Sequence, residues 1–330
     1  MGVDLFFVLS GFLITGILVD IRGTARPLRT FYARRVLRIM PLYVVFLLFS
    51  LSVAGHIGTS SPDEVAQLHD TQLWYWSYMV NNLIALRDWS SITLPTGHLW
   101  SLALEEQFYL LWPFVVLAIS TKSLRRTAIG CIVVAELIRL MFVITGASGQ
   151  VNFVLLPTRM DLLAAGAFLA CAYRDEELWA RVLRSRQHIA LIGLLLFLAT
   201  VLCRHTIDSR DSFDQLVLFP AIVALAAVAT ATAVHGVKWL ATSPMRFVGR
   251  ISYGIYVWHL VVMRLVLLNV TVPQEHATAN SWWLFYAEMV FGTFFGSIVL
   301  AYASWLVIEQ PFLQLKSFVA YSDARNHTIL

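Results

Sequence analysis

Two adjacent carboxylates, Glu105 and Glu106, lie inside an apolar run at 98–120. Wound as a helix, that run sets His98, Ser101, Glu105 and Tyr109 at i, i+3, i+7 and i+11, all on one face. A rise of about 1.5 Å per residue carries Glu105 about 10 Å in from the start of the run. Ionisable groups at such depth cost at least about 2.5–3.5 kcal/mol on insertion scales, so by default they mark a functional site. Two readings stand. The carboxylates do acid–base work on a bound hydroxyl, or one of them pairs with an arginine and locks two helices together.

A second face with similar chemistry occurs at 250–270. Ser252, Tyr256 and His259 share it, with Tyr253 beside them, and His259 lies about 13 Å from the start of the run. A neutral imidazole there can take or give a proton near neutral pH, or simply donate to a neighbouring carbonyl. Asp4 opens the first apolar run, Arg159 and Asp161 open another, and Arg139 and Glu288 sit within runs as possible partners. Each is either part of a site or one half of an ion pair. Ser10 precedes Gly11, but the G-x-S-x-G nucleophile turn is absent, so Ser10 is not expected to form a covalent intermediate.

Arg34, Arg35 and Arg38 come just before Pro41, and Arg35 and Arg38 fall on one side of a helix. Their planar forks suit phosphate oxygens. A positive stop signal touching anionic lipid head groups is the alternative.

The elements that must position these groups are membrane helices. Of 330 residues, 58% are hydrophobic and only 13% charged, against about 25% in soluble domains. So few charges cannot cover a water-facing surface, which excludes soluble globular, disordered and collagen-like classes. About 20 apolar residues cross a bilayer as helix. Nine runs qualify: 2–19, 42–58, 98–120, 127–145, 157–173, 189–203, 215–235, 250–270 and 283–308. The first lacks the basic leader and cleavage site of a signal peptide. A shorter piece at 74–86, interrupted by Asn81 and Asn82, is expected to be interfacial or re-entrant. The expected fold is therefore all-α, a polytopic integral membrane helix bundle of nine spans.

Basic residues alternate between loops. Loop 20–41 holds six arginines, and 121–126, 174–188, 236–250 and the tail carry most of the rest. The intervening loops hold only Arg87, Arg204 and Arg210. Cytoplasmic loops attract Lys and Arg, so the first set and the C-terminus are expected inside, with Met1 outside. Cys131, Cys171 and Cys203 form no CxxC pair and read as small apolar side chains. No P-loop, GxGxxG or HExxH occurs, so neither a metal nor a tightly held cofactor is expected, and the net charge of +4 does not call for nucleic acid.

Six stretches together resemble the acyltransferase 3 family of membrane O-acyltransferases. They are GVDLFFVLSGFLIT (2–15), FYARRVLRIMPLY (31–43), GHLWSLALEEQFYLLWP (97–113), RMDLLAAGA (159–167), GRISYGIYVWHL (249–260) and IEQPF (308–312), in the family's order. The resemblance implies a membrane domain over 1–312 followed by a short cytoplasmic tail at 313–330. It implies a bundle of about ten helices in the plasma (inner) membrane. It further implies transfer of an acyl group, acetyl in many members, from a cytoplasmic acyl-CoA co-substrate to a cell-surface glycan or lipid-linked saccharide, amid membrane lipid. Arg35 and Arg38 match the family's pair for the donor's phosphates, with Arg34 adjacent. Glu105, Glu106, His98 and His259 stand as catalytic candidates. Asp4, Ser10, Ser101, Tyr109, Arg159, Asp161, Ser252, Tyr253 and Tyr256 would support them. Relatives begin with one more helix, bearing an Arg and about ten residues later a His regarded as the base, and this chain starts at the family's second helix. Two other classes use buried charges or such a fold: a transporter or flippase of a glycan intermediate, and an inactive truncated product.

Overall fold

A computed structural model describes residues 2–204, 211–273 and 278–319. Twelve helices follow in chain order: α1 (Gly2–Asp20), α2 (Pro27–Ser52), α3 (Pro62–Trp76), α4 (Val80–Arg87), α5 (Leu99–Ala118), α6 (Thr121–Ile144), α7 (Gly149–Val154), α8 (Leu156–Tyr173), α9 (Glu176–Arg204), α10 (Ser212–Gly236), α11 (Ser243–Asn269) and α12 (Ala279–Ser304). A π turn, Trp305–Glu309, leads into a last short helix, α13 (Gln310–Gln314). No strand occurs among the described residues.

Eight of these helical stretches are long and apolar enough to cross a membrane. They match the expected runs except 98–120. That run is α5, a helix of 20 residues whose Glu105, Glu106 and Gln107 lower its hydropathy. It is also among the most enclosed helices, with both ends of its length buried against neighbours. The piece at 74–86 is broken at Tyr78, where φ is 54°, into the end of α3 and the eight-residue α4. No continuous helix long enough to span forms there.

Three loop expectations give way. Residues 27–41 are not loop but the first turns of α2, so Arg29, Arg34, Arg35 and Arg38 project from a helix continuous with the span. Arg and Leu are good helix formers, and Pro27 sits in the first turn, where its missing N–H is harmless. Residues 176–188 likewise belong to α9, and 243–250 to α11. Hydropathy alone cannot see a helix that continues past the apolar zone.

The first helix packs closely on α8. A Cβ built on Gly11 would lie 1.9 Å from the Leu163 carbonyl oxygen, and one built on Gly166 would lie 2.0 Å from the Val8 carbonyl oxygen. Backbone meets backbone at both points, the small-residue contact by which membrane helices approach most closely. Gly11→Ala or Gly166→Ala should therefore destabilise the bundle by about 3 kcal/mol, the upper part of the usual overpacking range. A lowered thermal midpoint in detergent would register it, and an unchanged midpoint would contradict the contact.

Buried ion pairs hold the same helices. Arg159 pairs with Asp4, joining α8 to α1. Arg139 reaches Asp161 at 2.7 Å and Glu136 at 2.5 Å and donates to the Thr158 carbonyl, joining α6 to α8. Both guanidinium groups lie over the Phe219 ring, at 4.1 Å for Arg159 and 5.4 Å for Arg139. Asp4, Arg159 and Asp161 are thus matched charges between helices, the second of the two readings open to them. Glu288, exposed on α12, is not part of this network. Cys131 and Cys171 are free thiols, Cys171 buried. The side chains of Cys203 and Arg204, and all of Arg210, fall outside the described residues.

Candidate active site

Helix α5 passes through the centre of the site, flanked by α1, α2 and α11. Its Glu105 is buried, and each carboxylate oxygen accepts a hydroxyl. Ser10 Oγ on α1 donates to Oε1 at 2.7 Å, and Tyr109 OH, one turn further along α5, donates to Oε2 at 3.1 Å. Ser10 was not expected to be a nucleophile, and its position explains what it does instead: it fixes the rotamer of Glu105 from a neighbouring helix. Ser10→Ala should slow turnover roughly tenfold by freeing that carboxylate, since one hydrogen bond to a charged group is worth about 1.5–3 kcal/mol. Rate per folded enzyme is the measurement, and an unchanged rate would assign Ser10 to packing.

One turn earlier, the polar residues of α5 meet α11. Ser101 Oγ contacts Tyr256 OH, and Tyr256 OH donates to the His98 carbonyl at 2.5 Å. The ring of His98 packs edge-on against Phe46, Tyr256 and His259, with centroids 5.7, 5.1 and 4.9 Å apart. His259 Nδ1 donates to the Tyr256 carbonyl at 2.6 Å. That bond fixes the tautomer and leaves Nε2 of a neutral ring as an acceptor. The fold therefore gathers His98, Ser101, Tyr256 and His259 into one cluster from two helices.

Two cavities lie on different sides of α5. One, of about 80 Å³, is lined by Gly2, Val3, Phe6, Phe7, Ser101, Leu102, Glu105, Tyr253 and Tyr256. The other, of about 220 Å³, is lined by Tyr32, Arg35, Ile39, Met40, Tyr78, Glu106, Gln107 and Tyr109 among others. Consecutive residues on a helix point about 100° apart, so the paired glutamates face different spaces. Glu106 Oε1 is buried with no hydrogen bond. Gln107 donates to the Tyr78 carbonyl and to Asn81, each at 2.8 Å, and thereby fastens the broken α3–α4 segment to α5.

The arginines of α2 divide. Arg34 donates to the carbonyls of Lys316 and Val319 at 3.2 and 3.0 Å and so fastens the segment after α13 to α2, and it is not among the residues that line the cavity. Arg35 lines the larger cavity, its guanidinium 4.5 Å over the Tyr109 ring and 6.0 Å from Phe31. Arg38, one turn on, has Arg35, Glu309, Tyr253 and Tyr109 as its electrostatic neighbours. Neither Arg35 nor Arg38 makes an ion pair or hydrogen bond among the described residues. Tyr253 OH donates to the Ile39 carbonyl at 3.0 Å, tying α11 to α2. Ser252 stays outside the cluster, its hydroxyl bonded to the Gly249 carbonyl of its own helix at 2.9 Å.

Sequence reasoning took Glu309 only as part of the IEQPF motif and gave it no place in the site. It closes the π turn, is 2% exposed, and comes to the cluster from the far end of the chain. A charged residue ending an apolar run was a visible signal, but it read as the boundary of the tail. Asn81 and Gln107 were missed as a fastening for the same reason: one marks an interruption and the other follows two carboxylates. Among the described residues no three His, Cys, Asp or Glu side chains gather as a metal site.

A polytopic helical protein with carboxylates, imidazoles and arginines enclosed around α5 fits an enzyme or a transporter of the membrane, and comparison with known proteins supplies the class. The chain belongs to the acyltransferase 3 family, whose acyltransferase-domain model matches residues 1–302. It is 28% identical to the peptidoglycan O-acetyltransferase OatA of Listeria monocytogenes over 97% of this chain and 52% of that protein. It is 30% identical to the putative peptidoglycan O-acetyltransferase YrhL of Bacillus subtilis over 98% of this chain and 51% of that one. A putative O-acetyltransferase of Staphylococcus aureus is 29% identical over 81% of this chain and 46% of its own length. The chain thus spans about half the length of the curated relatives it matches. No solved structure matches it. It carries the acyltransferase domain of that family on membrane-spanning helices.

Proposed function

We propose that this acyltransferase moves an acetyl group from cytoplasmic acetyl-CoA to a hydroxyl of a glycan on the outer side of the membrane or in export, with peptidoglycan the foremost acceptor given the names of its relatives. The observation that carries the reading is the pairing of cavities about α5. One holds Arg35 beside Glu106, with no ion pair closed between them; the other holds Glu105, Ser101 and Tyr256. Two guanidinium groups, Arg35 and Arg38, that close no ion pair among the described residues leave their donors free for an anionic ligand. The phosphates of CoA supply one, and guanidinium forks match them.

In this reading Arg35 and Arg38 hold the donor's phosphates. The acceptor hydroxyl lies in the smaller cavity, where Glu105 is the group able to take its proton, with His98 and His259 behind Ser101 and Tyr256. Its oxygen attacks the thioester carbonyl, the C–S bond breaks, and the departing CoA thiolate receives the proton. The Tyr256 and Ser101 hydroxyls would serve as donors to the developing oxyanion by turning away from the His98 carbonyl that they bond in the free site. The basic ends of α2, α6 and α9 would lie on the cytoplasmic side, where CoA is found.

Mass spectrometry of cell-envelope glycans with and without the gene tests the reading. Loss of O-acetyl groups, restored by the complementing chain with any partner domain it needs, is the expected result. An unchanged acetylation pattern would refute it.

A further inference from the structure

Glu309 is 2% exposed, and neither of its carboxylate oxygens has a hydrogen-bond partner. A buried carboxylate in that condition is costly unless a cation matches it. It stands on a π turn, a helix irregularity common at functional sites. That turn packs against α2, the helix that bears the arginines. Gly254 on α11 leaves room for it: a Cβ there would sit 3.1 Å from Glu309 Oε1. The charged neighbour of Glu309 is Arg38, whose guanidinium has no ion pair or hydrogen bond among the described residues.

We propose that Glu309 is a positioning residue that shares Arg38 with the donor's phosphates. Before CoA binds, its carboxylate attracts the guanidinium through space without closing an ion pair. When CoA binds, the phosphates take over the guanidinium and the carboxylate opposes them, so the product does not linger. The inference rests on reading Arg35 and Arg38 as the donor site, and it adds a sign that a merely structural glutamate would not produce: removing the negative charge strengthens donor binding.

The test measures binding of CoA to this chain in lipid nanodiscs, together with KM and kcat for acetyl-CoA. Glu309→Gln should bind CoA roughly tenfold more tightly, the scale expected for removing one nearby charge at reduced dielectric. Both KM and kcat should fall, because release slows. Glu309→Asp, which keeps the charge, should bind much as the parent does and covers the case in which the glutamine variant folds poorly. In an Arg38→Ala background, Glu309→Gln should have no effect on binding. Weaker or unchanged CoA binding in Glu309→Gln, with Arg38→Ala still impaired, overturns the role of Glu309 and leaves the donor site standing. Full CoA binding by an Arg35→Ala, Arg38→Ala variant overturns the donor site and this inference with it.

Discussion

Replacing Arg35 and Arg38 together by alanine is expected to abolish acyl transfer while the chain still inserts and accumulates in the membrane. Both side chains lie in the first turns of α2, and neither supports the fold through an ion pair or hydrogen bond among the described residues. Their loss therefore removes little that holds the bundle together, apart from the stacking of Arg35 on Tyr109. A hydrogen bond to a charged group is worth about 1.5–3 kcal/mol, so losing two such anchors predicts a fall in rate of about 10³-fold. Transfer of label from acetyl-CoA, measured per amount of membrane-inserted protein, reads it directly. Arg35→Lys with Arg38→Lys should fall between, because an ammonium keeps the charge but not the bidentate fork. Activity retained by the double alanine variant would remove the donor assignment. Activity lost together with the protein would show that the two arginines serve folding instead.

The second large effect belongs to Glu105. Glu105→Gln keeps size and shape but removes the charge and turns one acceptor oxygen into an N–H group. Ser10 and Tyr109 each donate to a carboxylate oxygen, so one of the two hydroxyls must then face a donor and turn away. General acid–base groups contribute about 10²–10⁴-fold, and the expected loss in kcat lies in that range. A comparison with Ser10→Ala separates roles. If Glu105 acts on the acceptor, its loss should far exceed the tenfold effect at Ser10, with the thermal midpoint nearly kept. If it only joins α1 to α5, the two variants should resemble each other and both should lower the midpoint.

Much of this protein was legible in its residues alone. Apolar runs about 20 residues long declare membrane helices because a bilayer has a fixed thickness, and that is a local property. The face shared by His98, Ser101, Glu105 and Tyr109 follows from helical period, also local, and these residues do line one side of α5. Six motifs in order pointed to the family that the comparison then supplied. What local rules could not decide is direction. Period places residues around one helix but leaves open which neighbour each faces. The backbone contact of Gly11 and Gly166 fixes α1 against α8, and through it Ser10 lands on Glu105 and Asp4 on Arg159. The same packing turns Arg34 to the segment after α13 and leaves Arg35 in a cavity with Glu106, while Glu105 faces another. Glu309, more than 200 positions from Arg38 in sequence, becomes its neighbour only when the π turn folds onto α2. Composition and period determined the solvent and the helices, and tertiary packing decided which charges are paired and which stand ready for a ligand.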